Sequence, residues 1–92
     1  MLVIVFSKWL SKRRDQLHIV NDILKVAKRG ASKTSIMYNL NLSFTEVNQY
    51  LSLMMENELL LKIHEDCRPV YCPSEKGLTF LISYTHLVRL LH

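Results

Sequence analysis

The sequence predicts a mainly α domain with a small β-hairpin, and three observations carry that expectation. Helical periodicity recurs in separate segments up to about residue 57. Two short runs between Leu59 and Cys72 read instead as strands. Two Gly and two Pro in 92 residues are too few for a β-rich sandwich full of tight turns. The length allows one core, since a chain of this size buries somewhat more than ~60% of its unfolded surface. A composition of 49% hydrophobic and 22% charged residues excludes disorder, collagen and low complexity.

The first helix is expected from Leu17 to Arg29. His18, Asn21, Asp22, Lys25, Lys28 and Arg29 share an arc of about 120° at 100° per residue, and apolar residues fill the rest. Gly30 follows as the residue that ends it. A short second helix, Lys33 to Asn39, has Ser32 as N-cap and Ile36, Met37 and Leu40 on its apolar side. Asn39, Leu40 and Asn41 form a tight connection, because Asn tolerates the left-handed conformation.

The third helix carries the sharpest local signal. Ser43, Phe44, Thr45 and Glu46 read S-x-x-E, a capping box in which hydroxyl and carboxylate each satisfy an orphan backbone N–H. Leu42 and Val47 flank it as a hydrophobic staple. Phe44, Val47, Leu51, Met54 and Met55 are expected on one face, with Thr45, Gln49, Ser52 and Glu56 on the other. Asn57 marks the end. Leu59 to Ile63 and Val70 to Cys72 then read as two strands, joined by a loose connection over Glu65, Asp66, Cys67, Arg68 and Pro69. Pro73 stops the second strand, and Ser74 caps a last helix in whose first turn Gly77 is a mild cost.

Two helices joined by a short turn and followed by a β-hairpin make a winged helix-turn-helix. The expected organisation is an apolar and basic extension over residues 1–12, a winged helix-turn-helix domain over 13–75, and a C-terminal dimerisation helix over 76–92. The extension, from the apolar run Met1 to Phe6 through Trp9 to Lys12, Arg13 and Arg14, either packs beside the last helix or acts as an amphipathic anchor.

These residues resemble a known family. The segment from Gly30 to Leu60, with Lys33, Thr34, Ile36, Met37, Tyr38, Asn41, Leu42, Ser43 and Phe44, is similar to the archaeal winged-helix DNA-binding proteins. So is the later run with Tyr71, Ser74, Lys76, Gly77, Phe80 and Leu81. The resemblance spans about two thirds of the chain. It implies a small dimeric transcriptional regulator or chromatin-associated protein, of an archaeon or one of its viruses, joined through its C-terminal helix. Relatives often carry Arg or Lys on the exposed face of helix three; this chain has neither between Lys33 and Lys62.

In that context the segment 43–57 is expected to enter the major groove. Thr45, Gln49 and Ser52 form its outward row, with Asn48 at the border. Gln and Asn pair with adenine N6 and N7, and Ser or Thr contacts most bases or a phosphate. The same row also fits an ordinary solvated helix face. Lys28, Arg29, Lys33 and Thr34 are expected near phosphates and Arg68 at the wing tip, where each basic residue is otherwise a solubility charge. Tyr38 either donates to a phosphate or belongs to the core. Leu81, Tyr84, Val88 and Leu91 follow a 3-4 spacing that, with Leu78, predicts a homodimer seam.

The other chemistry is thin. His64, Cys67 and Cys72 have zinc-like residue types but no clear fourth ligand, and read better as wing residues or as disulfide partners. No phosphate loop, nucleophile elbow or carboxylate pair with a positioned His is present, so neither an enzyme nor a cofactor is expected. The first residues lack the basic start of a signal peptide and are too short to span a bilayer, which predicts a soluble cytoplasmic protein without a membrane partner. Two other functions stay open: a protein-binding winged-helix module, and a non-specific chromatin protein.

The net charge of +4 is unevenly spread. Residues 1–41 hold eight basic and two acidic side chains, 42–75 hold two and six, and 76–92 hold two and none. Any phosphate grip is therefore expected in the N-terminal half.

Overall fold

The computed structural model describes residues 16–91, so the expectations for residues 1–12 lie outside the described residues. Among those described, the order is α1 (residues 16–26), α2 (Lys33–Leu40), α3 (Phe44–Glu56), β1 (Leu60–Glu65), β2 (Arg68–Pro73) and α4 (Glu75–Leu91). The helix–helix–helix–hairpin–helix sequence is the one expected.

Helix α1 ends a turn earlier than its periodicity suggests. Residues 27–29 tighten into turns, with Lys28 N–H donating to Lys25 O at 3.3 Å and Gly30 N–H to Ala27 O at 2.8 Å. Gly30 sits at φ +94°, where a side chain is strained, so this exit depends on glycine. Ala31 then exchanges two backbone hydrogen bonds with Tyr71, at 2.9 and 2.8 Å, tying the α1–α2 connection to the hairpin.

The core takes Val20, Ile23, Leu24 and Ala27 from α1, Ile36 from α2, Val47, Leu51 and Met54 from α3, and Leu60 and Tyr71 from the hairpin base. The polar arc expected on α1 is interrupted. Asn21 is buried, and its Oδ1 has no hydrogen-bond partner among the described residues. Helix α4 runs antiparallel to α1 nearby, as two contacts show. An added Cβ on Gly77 would lie 3.1 Å from Leu24 Cδ2, and the Tyr84 hydroxyl lies 3.4 Å from His18 Nδ1. Asn21 falls between these two contacts, one turn from each.

The hairpin is tighter than expected. Its ladder runs from Leu60↔Pro73 to Glu65↔Arg68, leaving Asp66 and Cys67 as a two-residue turn rather than a loose five-residue connection. Both take positive φ, 49° and 67°, the type I′ geometry whose twist matches the strands. Strand pairing thus overrode the absence of the usual Asn-Gly signal.

Where α3 ends, Leu59 N–H donates to Met54 O at 2.8 Å and Glu58 N–H to Met55 O at 3.1 Å, with Glu58 left-handed at φ 60°. This is a Schellman motif built without glycine. Ser74 closes the junction: its hydroxyl donates to Glu58 O, its N–H donates to Leu59 O at 3.0 Å, and its Oγ accepts from Gly77 N–H at 3.0 Å. The expectation that Gly77 is merely tolerated is corrected here. A Cβ at that position would collide with the Leu59 carbonyl oxygen.

Two substitutions with opposite signs test this junction. Gly77→Ala, which helix propensity alone favours by about 1 kcal/mol, is expected to destabilise by about 2 kcal/mol or more through the backbone collision. Glu58→Gly is expected to stabilise by about 1 kcal/mol by relieving the left-handed backbone. Urea unfolding of both variants checks the pair.

Candidate nucleic-acid interface

Helix α3 is set by its cap. Ser43 Oγ accepts from Glu46 N–H at 3.1 Å, and Glu46 Oε1 accepts from Ser43 N–H at 3.0 Å, so the capping box read from S-x-x-E is formed. Leu42 is half-buried and Val47 fully buried at the staple positions. The Glu46 carboxyl is held below its ordinary value of 4.5, first by the Ser43 backbone N–H and then by the Ser43 side chain. Its charge is engaged at the helix N-terminus, where it also complements the macrodipole.

Val47, Leu51 and Met54 bury one face of α3 and leave Thr45, Gln49, Ser52 and Glu56 exposed on the opposite one. Asn48 is half-buried at the border. Asn48, Gln49, Ser52, Leu53 and Glu56 line a shallow open depression along this face. On α2, Thr34 and Tyr38 point away from buried Ile36, and Tyr38 is 83% exposed. Of the two readings of Tyr38, the core one is excluded.

The N-termini of α2 and α3 meet. Lys33 Nζ lies over the Phe44 ring, 5.3 Å from its centroid, a cation–π contact that draws the cation onto the first residue of α3. Lys28 and Arg29 are exposed in the turn that leads into α2. Arg68 is exposed at the far end of the hairpin, opposite Glu65. Lys33 and the α3 row are thus brought together, whereas Arg68 stands apart on the wing.

Sequence periodicity misplaced two residues of α3. Phe44 and Met55, expected on the core side, are 62% and 39% exposed, and Leu53 is 45% exposed. Phe44 lies about two turns ahead of Leu51 and nearly one ahead of Val47, the first buried residue of the helix, at the end where the core has already stopped. Its position directly after the cap was the available signal, and periodicity does not register it.

Of the zinc-like residue types, Cys67 is an exposed free thiol in the turn and Cys72 a half-buried one in β2. No three His, Cys, Asp or Glu side chains converge among the described residues. No helix among them is long and apolar enough to cross a membrane. On α4, Leu78 and Leu91 are exposed, while Leu81, Tyr84 and Val88 are half-buried. Leu81 packs against the core, and Tyr84 stacks on Phe80 at 6.0 Å and reaches His18.

A winged helix-turn-helix family model matches residues 13–92. The chain belongs to that winged helix-turn-helix family. A protein of Methanocaldococcus jannaschii, itself uncharacterized, is 31% identical over 83 residues, which are 89% of this chain; the chain spans 37% of that relative's length. Among solved structures, the winged-helix chain resembles Sso10a-2, a DNA-binding protein from Sulfolobus solfataricus. The TM-score is 0.72 with 20% identity, over 80% of this chain and 78% of the other. It also resembles an S. aureus MepR mutant bound to an oligodeoxyribonucleotide, with a TM-score of 0.71 and 13% identity over 98% and 75% of the two chains. At these identities the likeness establishes the fold.

The depressed Glu46 value predicts a pH dependence. Because the folded value is lower than the unfolded one, the cap's contribution is present above the ordinary glutamate range. It is lost as pH falls through the folded value. Glu46→Gln is expected to flatten stability against pH in that acid window, and chemical unfolding at a series of pH values measures it.

Proposed function

We propose that the protein is a homodimeric DNA-binding transcriptional regulator that reads the major groove with α3. The observation that carries this reading is the convergence of an exposed polar row, Thr45, Gln49 and Ser52, with a cation held at the first residue of the same helix. Base-edge donors and acceptors sit on a face broad enough to enter a groove. The phosphate grip comes from Lys28, Arg29, Lys33 and Thr34 at the start of α2, with Tyr38 adding a hydroxyl and Arg68 reaching the backbone beside the wing. The partner is double-stranded DNA, and the DNA-binding winged-helix neighbours support that choice. A nucleoid-associated, cytoplasmic, non-enzymatic role follows from this reading.

The dimer rests on α4. Leu78, Ile82, Leu87, Leu90 and Leu91 are 39–82% exposed, an apolar run along a helix whose other side already covers the core. A second copy of the same helix is the occupant that buries such a surface symmetrically. The contacting set includes Leu78 and Leu91 and extends beyond the 3-4 seam to Ile82, Leu87 and Leu90. Leu81, Tyr84 and Val88 flank it from the half-buried side.

Binding to duplex DNA at several salt concentrations tests the regulator. Four cations per half-site predict a slope of log K against log salt of about −3.5 per half-site. Replacing Lys28, Arg29 and Lys33 by Ala is expected to make that slope less steep by about 2–3 units. Gln49→Ala is expected to weaken one sequence selectively and leave the slope unchanged. Absence of binding at low salt overturns the DNA reading.

Sedimentation tests the dimer separately. The protein is expected to run as a dimer at tens of micromolar, and the pair Leu87→Lys and Leu90→Lys to run as a folded monomer. A monomeric unsubstituted chain overturns the α4 interface.

A further inference from the structure

We infer that α3 selects A·T base pairs, reading adenine through Gln49 and Asn48 and the thymine methyl through Phe44. This inference rests on the DNA-binding reading above and names what that site takes.

The major-groove edges of the two pair types call for different side chains. Guanine presents two acceptors, O6 and N7, best met by Arg or Lys; adenine presents an acceptor and a donor, N7 and N6–H, best met by Asn or Gln. Between Lys33 and Lys62 the chain has no Lys or Arg, so α3 carries no guanine-reading fork. It does carry Gln49 at the centre of its exposed face and Asn48 at the border.

Cytosine would need a carboxylate to accept from its N4 amino group. Glu46 is not available for that, because its carboxylate accepts from Ser43 N–H in the cap. Glu56 is exposed but stands in the last turn of α3, while the N-terminal residues of a recognition helix reach the base edges.

Thymine alone offers an apolar group in the major groove, its 5-methyl. Phe44 is the first residue of α3 and is 62% exposed, an apolar ring left at the end of the helix that leads into the groove. Lys33 Nζ lies over one face of that ring, so the same side chain that meets the methyl holds a cation beside the phosphates.

Four short duplexes of equal length provide the test, each titrated at one low salt concentration. One is A·T, one A·T with deoxyuridine in place of thymidine, one G·C, and one inosine·cytosine. The last keeps a minor groove like A·T but presents a major groove like G·C. The A·T duplex is expected to bind roughly tenfold tighter than G·C. Inosine·cytosine is expected to bind like G·C, and removal of the methyl to cost roughly fourfold per contact.

Gln49→Ala is expected to narrow the A·T to G·C ratio. Phe44→Ala is expected to abolish the difference between thymidine and deoxyuridine duplexes, costing thymidine binding more than deoxyuridine binding, which loses only the support of Lys33. Phe44 is exposed, so that variant keeps the fold, checked by far-UV circular dichroism.

Inosine·cytosine bound as tightly as A·T overturns the inference, because the preference then lies in the minor groove. Equal binding of thymidine and deoxyuridine duplexes overturns it too. So does an equal loss on both duplexes in Phe44→Ala, which leaves Phe44 as a support for Lys33 and nothing more. Binding to none of the four duplexes removes the DNA reading itself, an outcome distinct from binding all four alike.

Discussion

The junction between α3 and β1 is the constraint on which the rest of the molecule depends. Within six residues, Met54 to Leu59, α3 ends, the chain reverses through left-handed Glu58, and the hairpin is about to begin. Ser74 and Gly77 then seat the start of α4 on the same carbonyls, those of Glu58 and Leu59. Three elements with three different tasks are therefore referenced to one short stretch of backbone. At Gly77 the contact is backbone to backbone, so a side chain cannot adjust to relieve a change there. Close packing of this kind transmits displacement instead of absorbing it. The direction of α4 relative to α3 is set at this point, and in the proposed dimer it would set the separation of the two α3 helices.

The second organising feature is the separation of charge from base-edge chemistry. Residues 42–75 carry a net −4, yet they include the whole of α3 and the wing. A single basic helix could attract DNA and read it at once; under the proposed function α3 would do only the second. The phosphate grip would then fall to the α1–α2 connection and the start of α2, and the Lys33–Phe44 contact ties the start of α2 to the first residue of α3. Capping removes part of the conflict. Glu46 spends its carboxylate on the Ser43 N–H, where its charge stabilises the helix end rather than facing the groove.

Much of this was legible in the sequence, because it is local. The S-x-x-E box, the Ser32 cap and the Asn41 turn each involve residues within a few positions of one another, and each was formed where expected; Gly30 takes its positive φ as well, although α1 ends a turn before it. The candidate site residues of α2 and α3 were legible for the same reason, since a helix face follows from spacing once the helix is placed. What the sequence hid was tertiary. Asn21 looks like part of a solvated arc yet is buried in the fold, and Gly77 looks like a weak helix residue until the Leu59 carbonyl is brought beneath it. Asp66 suits the first central position of a type I′ turn, but Cys67 stands where glycine is usual, and strand register places it there. Phe44 was assigned to the core because periodicity reports direction around a helix but not how far along it the core extends.

The α1–α4 contact shows how such hidden tertiary effects combine. Tyr84 and His18 meet at 3.4 Å, His18 Nε2 lies 3.4 Å from Asp22 Oδ2, and one turn away Asn21 is buried with Oδ1 unpaired. The exposed polar groups at the rim are partnered, whereas the buried acceptor is not. An unpaired buried acceptor costs about 1–3 kcal/mol, and the apolar cluster that includes Val20, Ile23 and Leu24 of α1, with Phe80 and Leu81 of α4 packed against it, has to offset that cost. The two helices thus meet at a polar contact at one end, Tyr84 with His18, and at the close approach of Gly77 to Leu24 at the other, and the apolar surface between them supplies the adhesion.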